Sequence, residues 1–118
     1  LGLHGAQAAT LLPDGDFAGS GNPFQTIFLN QNFGATNKWT VTKGSVDWIG
    51  DYWQSPSGIG GGSVDLDGLD AGTISQSLTL APGTYTVTFA LSGNPDGLPT
   101  TKLLEVNVNG AQAQGYSY

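Results

Sequence analysis

Apolar and polar residues alternate in short runs along this chain. Tyr85, Val87, Phe89 and Leu91 interleave with Thr84, Thr86, Thr88 and Ala90, which predicts a strand with one apolar face over 84–91. Pro82-Gly83 punctuates its start and Gly93-Asn-Pro-Asp-Gly97 its end. Leu104, Val106 and Val108 interleave with Glu105, Asn107 and Asn109, and Asn109-Gly110 predicts a tight hairpin into the segment 111–118. Ile74, Leu78 and Leu80 mark a further strand. Trp39–Thr42 and Ser45–Ile49 flank Lys43-Gly44 and predict a second hairpin. Val64 and Leu66 point one way and Asp65 and Asp67 the other, and Phe24–Leu29 is a further strand candidate.

No window of useful length carries helical periodicity. Several short strands separated by turn signals predict an all-β sandwich or jelly roll. The chain has 118 residues, enough for one domain with a modest core. No internal repeat is present, and the Gly/Ser-rich Pro56–Gly62 segment reads as a loop rather than a linker.

Composition narrows the partners. Nineteen glycines favour turns over long helices, and with only 10% charged residues the surface rests on Ser, Thr, Asn, Gln and Gly. The net charge is −6, and Lys38, Lys43 and Lys102 are the only cations. Phosphate backbones and anionic membrane surfaces call for clustered Lys and Arg, so nucleic acid is a poor partner. No apolar run reaches the ~20 residues that span a bilayer, so membrane insertion is not expected. With no Cys and a single His, zinc and iron–sulfur sites are effectively excluded, while nine carboxylates leave calcium open.

The N-terminal residues 1–10 have two readings. Ala6-Gln7-Ala8 resembles an A-x-A cleavage site at the tail of a secretory signal peptide. Alternatively the segment is an N-terminal arm, and Leu1–Leu12 is long and apolar enough to act as a strand donated to a neighbouring chain.

Candidate chemistry concentrates in the loop after Ile49. Trp48, Tyr52 and Trp53 stand within a few residues of one another, and aromatic rings stack on the C–H faces of sugars. Asp47, Asp51 and Gln54 offer hydrogen bonds to hydroxyls. Asn94, Asp96 and Lys102 form a second polar cluster. If the fold brings both loops to one end of the sandwich, they make a shallow polar cleft with an aromatic floor. The candidate ligand-binding residues are therefore Asp51, Tyr52, Trp53, Gln54, Asn94, Asp96 and Lys102. Trp48 alternates with Val46 and Trp39 sits in a strand, so both also fit a core role. Asp14 and Asp16 are candidate calcium ligands. Asp65, Asp67 and Asp70 crowd one segment, but without the EF-hand spacing they read as a solvated acidic edge. Catalysis is not expected: His4 has no Ser–Asp partnership, and Glu105 lies on a strand facing solvent.

Ordered motifs over about Leu11 to the end carry a family resemblance. They are Leu12-Pro-Asp-Gly-Asp-Phe17, Trp39-Thr-Val-Thr-Lys-Gly-Ser-Val-Asp-Trp-Ile-Gly50, Tyr52-Trp53, Gly62-Ser-Val-Asp-Leu-Asp-Gly68, Gly72-Thr-Ile-Ser-Gln76, Gly83-Thr-Tyr85, Phe89-Ala-Leu-Ser-Gly-Asn-Pro95 and Lys102. In these the chain resembles the choice-of-anchor C and DUF642 group of secreted proteins. The resemblance implies a galactose-binding-like jelly-roll domain over 11–118, outside the cell or at its surface. Two departures stand out. Ala18 occupies the place where the family carries a Glu after Phe17, which bears on inheritance of a structural calcium. Family domains also continue with further strands beyond the position of Tyr118, so the resemblance implies a sandwich lacking its C-terminal strands here.

Three functions follow as expectations. The first is a non-catalytic extracellular module binding cell-wall or matrix polysaccharide. The alternative is a self-assembling structural subunit of a filament or matrix, a homo-oligomer completed by strand donation at an edge. The third is a β-sandwich spacer without ligand.

Overall fold

A computed structural model describes residues 2–3 (backbone only), 11–54, 61–94, 96–99 and 101–117. Ten strands and no helix occur among them: β1 Gly2–Leu3, β2 Phe24–Phe28, β3 Asn32–Phe33, β4 Trp39–Lys43, β5 Ser45–Ile49, β6 Ser63–Asp65, β7 Thr73–Ser75, β8 Val87–Thr88, β9 Leu103–Val108 and β10 Ala111–Ser117. All pairings are antiparallel, in two three-stranded sheets, β2-β5-β6 and β3-β4-β7, and two two-stranded ones, β9-β10 and β1-β8.

The core lies between the two three-stranded sheets. Ile27, Val46 and Trp48 come from one and Phe33, Trp39 and Val41 from the other, with Val64, Leu66 and Ile74 packed against them. Val41 and Val46 have no exposed surface. Each such side chain contributes about 1.5–3 kcal/mol of apolar burial. The alternation predicted for Val46, Trp48, Val64 and Leu66 thus marks the inner face of a β-sandwich.

Buried indole N–H groups need acceptors. Trp39 Nε1 donates to the Asp14 carbonyl at 2.9 Å, and Trp48 Nε1 donates to the Phe17 carbonyl at 2.7 Å. The segment before β2 is therefore fastened to both sheets. The Phe17 ring adds to this, 5.4 Å from Trp39 and 6.4 Å from Phe33. Leu12–Phe17, the first motif of the resemblance, forms a turn closed by Phe17 N–H donating to Asp14 O.

Lys43-Gly44 does not make the expected hairpin. Strands β4 and β5 flank it but belong to different sheets, so it is a corner where the chain crosses from one layer to the other. Gly44 has φ 58°, and a Cβ there would run into the Ala71 carbonyl oxygen. Only glycine meets both demands. Alternation identifies two strands with inward faces. It does not say whether they pair with each other or face each other.

The hairpin at Asn109-Gly110 forms as expected. Both residues have positive φ, 52° and 80°, in a two-residue connection between β9 and β10. A bulge at Ala113 shifts the register. The strands expected over 84–91 and 74–80 are shorter than predicted. Only Val87–Thr88 and Thr73–Ser75 are paired, and Tyr85, Val87, Leu78 and Leu80 are exposed. Their apolar alternation has no second sheet to bury it among the described residues. Val87 pairs with Leu3 and Thr88 with Gly2, so the start of the chain does run as a strand, within its own chain. The rest of the expected arm, residues 4–10, lies outside the described residues.

Candidate functional site

The outer face of the β2-β5-β6 sheet carries an open cleft of about 330 Å³. That is at the small end of the ~300–1,000 Å³ typical of small-molecule sites. Strand alternation fixes its floor. Phe24 stands opposite Ile49, Thr26 opposite Asp47, and Asp47 opposite Asp65, so these side chains share the face turned away from Val46 and Trp48. Phe24, Ile49, Asp47 and Asp65 line the cleft, with Asp67 and Gly68 at the exit of β6.

One wall is aromatic. Pro23 O accepts from both Gly50 N–H and Tyr52 N–H, at 3.0 and 3.2 Å, and this holds the chain leaving β5 against the start of β2. The tether sets the Tyr52 ring edge-on to Phe24 at 5.6 Å and edge-on to Trp53 at 5.2 Å. Tyr52 is 49% exposed and Trp53 is partly buried, so ring surface remains available to a ligand.

The other wall is formed by Asn94, Asp96 and Gly97, at a turn. Asn94 Nδ2 donates to Asp65 Oδ2 at 2.8 Å and anchors the turn to the sheet. Asn94 Oδ1 accepts from the Asp96 backbone N–H at 2.8 Å, which shapes the turn itself. Lys102 Nζ donates to Gly97 O at 3.0 Å from the approach to β9. Tyr52 Oη donates to Asp96 Oδ2 at 3.1 Å, linking the two walls.

Five of the seven expected ligand-binding residues therefore meet in one cleft: Tyr52, Trp53, Asn94, Asp96 and Lys102. Asp51 and Gln54 are exposed and do not line it. The two loops converge over a sheet face rather than at one end of the sandwich. Trp48, weighed as either core or ligand-facing, is core.

The pattern predicts a solvated acidic edge at Asp65 and Asp67. Asp65 is instead partly buried, and both line the cleft. Phe24 and Ile49 line it too. The available signal was the position of Asp47 between Val46 and Trp48 and of Asp65 between Val64 and Leu66. Each acid had to lie on the outer face, but only the β5–β6 register puts the two together.

Electrostatics follow from this packing. Burial pushes the Asp65 carboxyl above its ordinary range. The bond from Asp67 N–H opposes that, the Asp47 and Asp67 charges add to it, and Lys102 partly offsets it. The Tyr52 phenol is also raised, first by its hydrogen bond to Asp96 and then by that residue's charge.

Asp14 and Asp16 lie elsewhere. Burial raises the Asp14 carboxyl, but bonds from Lys38 N–H, Thr36 Oγ1 and Thr36 N–H, with the Lys38 charge, leave it below its ordinary range. Those bonds measure 2.9–3.1 Å and brace the 34–38 turn. Asp16 accepts from Ala18 N–H. Among the described residues no three His, Asp or Glu side chains gather as a metal-holding group.

The cleft offers rings for stacking and a dense set of acceptors with an ammonium and an amide as donors. Asp47 and Asp65 stand side by side on its floor, and Asp96 lies on the wall.

A segment of halomucin from Haloquadratum walsbyi is 35% identical over 100 residues, which is 80% of this chain and 1% of that protein. The chain thus corresponds to a very small part of the curated relative it matches. No solved structure matches it. The family model described as "Protein of unknown function (DUF642)" matches residues 10–116. The chain belongs to the DUF642 family.

Proposed function

We propose that this domain is a non-catalytic glycan-binding module acting outside the cell or at its surface, and that it binds sugar units in the cleft over β2-β5-β6. The observation that carries the reading is the Phe24–Tyr52–Trp53 ring wall facing Asn94, Asp96 and Gly97 across a polar floor. A pyranose presents apolar C–H faces and a rim of hydroxyls. Such a ligand stacks on the rings and exchanges hydrogen bonds with Asp47, Asn94, Asp96 and Lys102. The likeness to a segment of halomucin supports the extracellular placement. Retention on immobilised polysaccharides, repeated with Trp53→Ala, tests the reading. Retention that weakens in the variant supports it, and no retention on any neutral or charged glycan contradicts it.

A second reading is assembly. The Gly2–Leu3 segment already forms a strand against Val87–Thr88, and the neighbouring hairpin leaves Leu103 and Val108 exposed. The same β1–β8 pairing made between chains would link copies into oligomers or filaments. Light scattering over a concentration series decides it. A monomer at every concentration, still folded after deletion of residues 1–12, contradicts assembly.

A further inference from the structure

We infer that the cleft selects sugar units carrying a protonated amine over neutral units, and rejects uronate units. This rests on the glycan-binding reading of the same cleft and names the class of glycan. Four carboxylates line the cleft, Asp47, Asp65, Asp67 and Asp96, against one ammonium, Lys102. The ammonium is engaged with Gly97 O at 3.0 Å on the wall. Asp47 and Asp65 are direct cross-strand partners on the floor, which places their Cβ atoms about 4.5–5.5 Å apart.

Existing bonds leave acceptor capacity at that pair. Asp47 takes Thr26 Oγ1 at 2.6 Å, and Asp65 takes Asn94 Nδ2 and the Asp67 N–H. A carboxylate offers about four lone-pair sites, so each can still accept from a ligand. A sugar ammonium seated over the floor would relieve the repulsion between the two acids and donate to both. Burial is the main reason the Asp65 carboxyl is displaced upward, and the Asp47 and Asp67 charges add to it against the Asp67 N–H bond and the Lys102 charge. The exposed faces of Tyr52 and Trp53 add a second attraction for a cation. A uronate would instead bring a further carboxylate onto the floor.

Calorimetry with short oligosaccharides tests this: glucosamine trimer, its N-acetylated counterpart and galacturonate trimer. The work is done at low salt and about pH 6, between the ordinary carboxylate and amine ranges. The glucosamine trimer is expected to bind about tenfold tighter than the acetylated one, with the margin shrinking as salt screens it. The uronate is expected to bind weakest. Asp67→Asn should narrow the margin, while Glu105→Gln, which removes the same charge on the exposed β9 strand, should leave it intact. Equal affinity for the amine and acetylated trimers, tighter binding of the uronate, or equal effects of the two substitutions would overturn the selectivity while leaving glycan binding in place. Failure of all three sugars to bind would overturn both.

Discussion

Asp47 on β5 and Asp65 on β6 stand directly opposite each other on the outer face of their sheet, with Thr26 of β2 completing the row. Like charges opposed across strands destabilise a sheet. Here the row forms the floor of the cleft, and Asn94 ties Asp65 to the turn that walls it. The arrangement links fold and site in one place, and it has consequences for pH.

The first concerns titration. Asp65 holds its proton more tightly in the folded chain than in the unfolded one. Its contribution to stability is therefore fully present below the ordinary Asp range and is lost as pH rises through its raised folded value. Asp47→Asn keeps an acceptor for Thr26 but removes the opposing charge. Carboxyl carbon shifts followed by NMR should show the Asp65 midpoint above the ordinary Asp range in the wild type and nearer to it in the variant. An unchanged midpoint would contradict the pairing.

Asp14 works in the opposite sense. Its carboxyl is held below the ordinary range by the Thr36 and Lys38 bonds, so its stabilisation is present above the unfolded value and lost as pH falls through the lowered folded one. Asp14→Ala should cost about 1.5–3 kcal/mol at neutral pH, the scale of hydrogen bonds to a charged group. The part of that difference due to the charge should vanish in strong acid, leaving the cost of Ala at a left-handed φ of 54°. Thermal melts of both proteins across acid pH check this.

Gly44→Ala tests the corner between the sheets. The left-handed backbone alone costs about 1–3 kcal/mol for a residue with a side chain, and the contact with Ala71 O adds to it. A large drop in urea midpoint is expected. Gly21→Ala, where a Cβ meets nothing, serves as the mild control.

Much of the fold could be read in the sequence because alternation reports burial directly. Val46, Trp48, Val64 and Leu66 point inward as their spacing requires, and Asn109-Gly110 makes the turn its φ preferences dictate. What could not be read was pairing. Lys43-Gly44 has the composition of a hairpin turn and is a crossover, because the choice depends on whether β5 pairs with β4 or with β2 and β6. The Asp47–Asp65 floor was hidden for the same reason, since a register between distant segments leaves no local signal. Tyr52, Trp53, Asn94, Asp96 and Lys102 were legible as rings and polar groups at turns, where such residues seldom serve a core. Asp51 and Gln54 share that local character, yet they are exposed and do not line the cleft.

Trp53→Ala should separate binding from stability. The ring lies on the cleft wall rather than in the central core cluster, so the melt should move little. Loss of one stacking surface should weaken glycan binding by about 1–2 kcal/mol, roughly five- to thirtyfold in Kd. Trp48→Ala should instead compromise folding, because it empties the core and leaves Phe17 O without its donor.

The most direct test of the account is a map of ligand contact on the protein surface. Backbone amide shifts followed during titration with short oligosaccharides should change at residues 47–53, 65–68 and 94–102 together, and stay unchanged along the β9–β10 hairpin. Changes confined to the hairpin, or none with any sugar, would contradict the assignment of the cleft as the glycan site.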